Sequence, residues 1–125
     1  MNPAAAEGDV LTRQLSRAVH VVAAAKPATP ALLRSTYEGL TSLFDRIRKQ
    51  DRPPPDLTSE ATVQDVKSLL FGPVVSIESL RALRADAVTS MIKACPSMNS
   101  VVEADVKALI ASEVSSSVRD RFRTS

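Results

Sequence analysis

TPALLRSTYEGLTSLFDRIRKQ, residues 29–50, decides the fold. Thr29 is a good N-cap, and Pro30 falls at the first helical position, where its missing N–H costs nothing. Leu33, Tyr37, Leu40, Phe44 and Ile47 then recur at alternating steps of four and three. That 3.5-residue spacing puts all five on one side of a helix and packs it against other helices. Two heptads fall short of a coiled coil, so the stretch predicts a bundle helix. Leu32 and Leu43 widen the stripe. Gly39 costs the helix about 1 kcal/mol against alanine, and it offers a place for a close helix crossing. Arg46, Arg48, Lys49 and Arg52 gather at the C-terminal end, where the helix dipole favours cations.

The same signals recur on both sides. Upstream, Leu11, Leu15, Ala18 and Val22 share a face. Asp9 is a competent cap for a helix running to about Ala25, which leaves residues 1–8 as a flexible tail. Downstream, Pro53-Pro54-Pro55 cannot continue a helix and prefers an extended form. The connector at 51–57 reads either as a stiff link within one bundle or as a subdomain hinge. Asp56 breaks any proline-x-x-proline pattern, which argues against a ligand for proline-recognising domains.

A third helix begins near Thr58, Ser59 or Thr62, carries Val63, Val66, Leu69 and Leu70, and stops at Gly72-Pro73. A fourth runs from Ser76 to Cys95 with Ile77, Leu80, Leu83, Ala87 and Met91 on one face. A fifth opens on a Ser100-to-Glu103 capping box and carries Val102, Val106, Leu109, Ile110 and Val114. Its pattern thins at Ser115–Ser117, and the helix reaches Phe122 only if that ring finds a groove. No strand and no internal repeat of roughly 20–50 residues emerges. The expectation is all-α: a compact bundle of about five amphipathic helices in a single domain over 9–125, with a two-plus-three split around the prolines as the alternative.

The chain has 125 residues, enough for one buried core without metal or disulfide. Aromatics are 3% of it, so that core is aliphatic. The net charge of +2 does not by itself imply nucleic acid. One cysteine, Cys95, forbids an internal disulfide and favours a reducing compartment, so the protein is expected in the cytoplasm or nucleus. No run is long enough for a membrane span, and the alanine-rich start has neither a secretory nor a mitochondrial signal character.

Chemistry-bearing residues are sparse. With one histidine and one cysteine, no metal site and no cofactor is expected. His20, between two valines, reads as a half-buried structural residue, and Cys95 as a small apolar one. Glycine-rich phosphate loops and the common hydrolase and metalloprotease motifs are missing. The acids Asp45, Asp51, Asp56, Glu60 and Asp65 would make an enzyme only if two of them shared a deep pocket. Val102-Glu103-Ala104-Asp105 is similar to the last helix of some rhabdovirus phosphoprotein C-terminal domains, but four residues that also serve as a generic helix start assign no family.

The function expected is therefore a non-enzymatic helical protein–protein interaction module, an adaptor or a subunit of a larger assembly. Its partner is another protein or itself, since the broad second-helix stripe invites self-association. Leu33, Tyr37, Leu40, Phe44 and Ile47 are the partner-binding candidates. The alternative is a small helical nucleic-acid-binding or nucleoprotein-associated factor, viral ones included. It would use Arg46, Arg48, Lys49, Arg52, Arg119, Arg121 and Arg123 on phosphates. The near absence of stacking aromatics weakens it.

Overall fold

The computed structural model describes residues 3–51, 53–72 and 75–123. They form α1 (Pro3–Ala24), α2 (Pro30–Lys49), α3 (Glu60–Leu70), α4 (Glu78–Ala94), α5 (Asn99–Ser112) and α6 (Ser116–Arg121), with a 3-10 turn at Pro96–Met98 before α5. No strand is found among them. The all-helical expectation holds, with six helices rather than about five.

Helices pack on the helix two places along the chain. α1 lies against α3, α2 against α4, and α4 against α6, with α2–α4 the most extensive contact. Lys67 of α3 and Asp105 of α5, 3.3 Å apart, extend the first series. Helices thus stack two places apart, α1 on α3 and α2 on α4 on α6, while α5 is tied to α3 by this ion pair and to the 3-10 turn before it. One buried cluster runs through both sides of the proline connector: Leu11 and Leu15, Tyr37 and Phe44, Val66 and Leu70, Val88 and Met91, Met98 and Val102. Leu57, 1% exposed, pins the connector itself into this cluster. Just before it, the Thr58 hydroxyl and N–H both donate to the Asp56 carboxylate, at 2.6 and 3.0 Å, which holds that carboxyl below its usual range.

The second helix starts as its sequence dictates: Thr29 Oγ1 accepts the Leu32 N–H at 3.2 Å, and Pro30 occupies the first turn. Other boundaries moved. α1 begins at Pro3, so residues 3–8 are helical where a tail was expected. α4 begins at Glu78, not Ser76, because the Ser76 carbonyl is taken by Arg81 Nη1 at 2.6 Å. The Ser100 capping box does not form. Pro96 opens the 3-10 turn, buried Met98 anchors it, and α5 follows directly, which leaves Ser100 inside the first turn. Glu103 pairs instead with Lys107 at 3.0 Å.

The last expected helix is two. It ends at Ser112, and Ser115 caps a new short helix by accepting the Val118 N–H at 3.3 Å. The serine run thus re-aims the chain. It lets Val118 pack with Ala82 and Ala85 of α4, and Phe122 find its place against both buried clusters. α3 ends at Leu70 with Phe71 as its C-cap, and Gly72 just beyond has no room for a side chain: a Cβ there would stand 2.7 Å from the Ser68 carbonyl oxygen. Pro73 lies outside the described residues.

Candidate functional site

The second-helix stripe, expected to meet a partner, is covered by the chain itself. Tyr37 and Phe44 are fully buried, Leu33 and Leu40 nearly so, and α4 lies over the helix. Only Ile47 remains half-exposed. The expectation that these five bind a partner is corrected for Leu33, Tyr37 and Phe44, since burial of an apolar stripe within the fold is the larger and nearer free-energy gain, whereas Leu40 and Ile47 border the hollows described next.

What stays open is the flank beside that stripe. Leu32, Thr36, Gly39 and Leu43 repeat at steps of four, three and four, displaced about 100° from the buried face. On α1, Val10, Gln14, Arg17 and Val21 follow the same steps. The two flanks face each other across the α1–α2 seam and enclose an open hollow of about 280 Å³, floored by Ala18, Leu32, Leu40 and Leu43. A second hollow of about 280 Å³ continues it toward Val10, Arg46, Ile47 and Gln50. Val10 is 39% exposed and Val21 47%, large values for valine. The parallel four-three-four pattern was readable in the sequence, but it was absorbed into a single wide stripe.

A buried polar node lies between α4 and the α5–α6 turn. Arg81 Nε is shared between both Glu113 carboxylate oxygens at 3.1 and 3.0 Å. Glu113 also accepts the Ser115 N–H at 3.0 Å, and the Ser115 hydroxyl donates to Glu78 at 2.8 Å. Arg84, 7% exposed, sits beside it, and burial pushes its guanidinium below the ordinary range while the charge effects of Tyr37 and Glu113 oppose that. The Tyr37 hydroxyl is buried with no hydrogen-bond partner; desolvation pushes it up, and the Arg84 charge offsets part of that. Sequence reasoning missed this node. The signal was Arg84 falling in register with Leu80, Ala87 and Met91. The node holds α6 to α4, and Arg121 adds a 2.6 Å contact with Asp86.

The basic candidates fall into two places. Arg46, Arg48 and Lys49 are exposed at the end of α2, with Arg48 3.9 Å from Asp45. Arg119, Arg121 and Arg123 are on or just beyond α6, which packs on α4; Arg121 faces Asp86, and Arg123 stands 3.6 Å from Asp120. Arg52 lies outside the described residues. Three of these cations are therefore already matched by carboxylates within the chain.

His20 is exposed on α1, not half-buried: it projects on the side away from Leu11 and Leu15. Cys95 is fully buried, and desolvation pushes its thiol up to about 11. A thiol-alkylating reagent is expected to label the native protein only at the rate of unfolding and to label it at once in denaturant. Rapid labelling under native conditions would contradict this burial. None of the acids Asp45, Asp51, Asp56, Glu60 and Asp65 lines the hollows described above. The described residues hold no cluster of three metal-ligating side chains, and no described helix is long and apolar enough to cross a membrane.

A family model described as ECM29, C-terminal ARM-like repeats, matches residues 1–125. No curated protein and no solved structure matches the chain. The match corrects the expectation that the chain holds no repeat. Odd helices start at residues 3, 60 and 99, spacings of 57 and 39, so no constant period exists to find. The repetition lies in which helix stacks on which.

Proposed function

The chain belongs to the ECM29 C-terminal ARM-like repeat family, and from that premise we propose that it is a non-enzymatic protein–protein interaction module, an adaptor or a subunit of a larger assembly. Stacked helical repeats contact only their neighbours and leave an extended surface for partners. One observation carries the reading: the α1–α2 seam keeps Val10 and Val21 exposed around an open hollow with a leucine floor, while ionisable side chains are dispersed or paired. Self-association is one form the interaction can take, since isolated apolar seams of this kind find copies as readily as other proteins. A reducing compartment, cytoplasm or nucleus, fits the lone buried thiol.

The nucleic-acid reading rests chiefly on Arg46 and Lys49 at the α2 end and on Arg119 of α6, since Arg48, Arg121 and Arg123 face carboxylates. The test is recovery of partners from native extract by the tagged protein, with and without nuclease, and with Arg48 and Lys49, which line neither hollow, changed to glutamate. Protein partners retained through both treatments are expected. Loss of all partners with nuclease, or with the charge reversal alone, would replace this reading with the phosphate-binding one.

A further inference from the structure

From the seam between α1 and α2, we infer that its occupant is an amphipathic helix of a partner protein, with acidic residues flanking its apolar stripe and its closest approach at Gly39. The inference rests on the interaction-module reading and adds the partner's chemistry. Three observations carry it. The first is shape and polarity: the two hollows join along the seam, and their floor is aliphatic. From Val10 to Val21 the seam follows twelve residues of helix, a rise of about 16 Å over three turns.

The second is charge. Arg17 and Arg46 edge these two hollows, Arg13 edges a third that adjoins them at Val10, Gln14 and Arg17, and among the described residues no carboxylate lines any of the three. A helix with a bare apolar stripe would leave those guanidinium groups to be partly desolvated without compensation. Glutamate or aspartate on the flanks would engage them, and lysine would be repelled.

The third is Gly39 itself. It sits mid-helix and exposed, and a Cβ built there meets nothing within 4 Å. Among the described residues, no helix therefore uses the close approach that glycine permits. An external helix crossing at residue 39 would, and Leu32, two turns before it, and Leu43, one turn after it, would flank its apolar stripe.

The test uses the whole protein and two synthetic helical peptides. They share one leucine stripe and differ only in flanks, glutamate in one and lysine in the other. Binding is read by fluorescence anisotropy and by amide shifts in heteronuclear NMR spectra. The glutamate peptide is expected to bind, to move amides of residues 10–21 and 32–47, and to weaken as salt rises. The lysine peptide should bind at least about tenfold more weakly. Gly39→Leu should weaken the glutamate peptide at least about tenfold, with helix content and thermal midpoint unchanged or raised, since the added side chain enters open space. Arg13→Glu with Arg17→Glu and Arg46→Glu should invert the peptide preference.

Equal binding of both peptides, full binding by Gly39→Leu, shifts confined to other helices, or no binding at millimolar peptide would each overturn the inference. A concentration-dependent dimer that blocks the seam and excludes the peptide would overturn it too, by assigning the seam to a second copy. If partners are recovered from extract equally by the Gly39→Leu protein, the module reading stands while the seam assignment fails. If no protein partner is recovered by either form, the module reading fails first.

Discussion

Phe44→Ala will lower the folding free energy by about 3–5 kcal/mol, the range for deleting a large aromatic side chain from a packed core. Phe44 is fully exposed to neighbours and not to water: its side chain is 0% accessible and belongs to the cluster that unites α2 with α4. Truncation removes the ring's transfer free energy and leaves a cavity that two stacked helices cannot close without moving. The measurement is urea unfolding followed by circular dichroism. A midpoint shift of the expected size with an unchanged slope would place the effect in stability and not in the compactness of the unfolded chain. Leu32→Ala, on the same helix but in the half-open seam, is the control, expected to cost far less. A Phe44→Ala loss no greater than the Leu32→Ala loss would contradict the burial of the stripe by α4.

Glu113→Ala will cost about 3 kcal/mol, the low end for removing one member of a buried ion pair. The Glu113 side chain is 3% exposed, its Arg81 partner 17%, and Arg84 lies buried beside them. Removing the carboxylate leaves two guanidinium groups close together with little water and releases the Ser115 N–H that starts α6. The damage should spread: amides of α6 should lose protection along with the start of α4. Glu113→Gln, which keeps the shape and one set of acceptor lone pairs, should cost less. Lys107→Ala offers the contrast. It breaks an ion pair whose side chains are 74% and 59% exposed, and such pairs contribute at most about 0.5 kcal/mol. Glu113→Ala and Lys107→Ala with similar unfolding midpoints would sink the claim that the node fastens α6.

The helical class was legible in residues 29–50 because a cap, a proline at the first turn and a regular stripe all agree. Local signals of that strength are decided within one turn of chain. The errors lie where tertiary structure competes with them. Ser100 and Glu103 are a good capping box, but buried Met98 pulls the helix start two residues back, from 101 to Asn99. Ser115 looked like the end of a helix and is the start of another, since Val118 and Phe122 gain more by turning back on α4.

The partner stripe was misread for a related reason. Periodicity reports that a face is apolar, and it does not report whether the chain or another protein covers it. The two questions separate only once α2 is seen under α4. The seam was then hidden in plain view, since Val10–Val21 and Leu32–Leu43 repeat at the same steps as the core but one residue out of phase. Stacking was hidden for a different reason, because helices of 22, 20, 11, 17, 14 and 6 residues have no common period to detect.

Native-state hydrogen exchange, followed residue by residue as denaturant is added, tests the stacked α2–α4 core most directly. Amides of α2 and α4 should share one opening free energy, equal to that of global unfolding, because each helix covers the other's buried face. α2 amides that open early while α4 stays protected would contradict it, and would return Leu33, Tyr37, Leu40 and Phe44 to the surface.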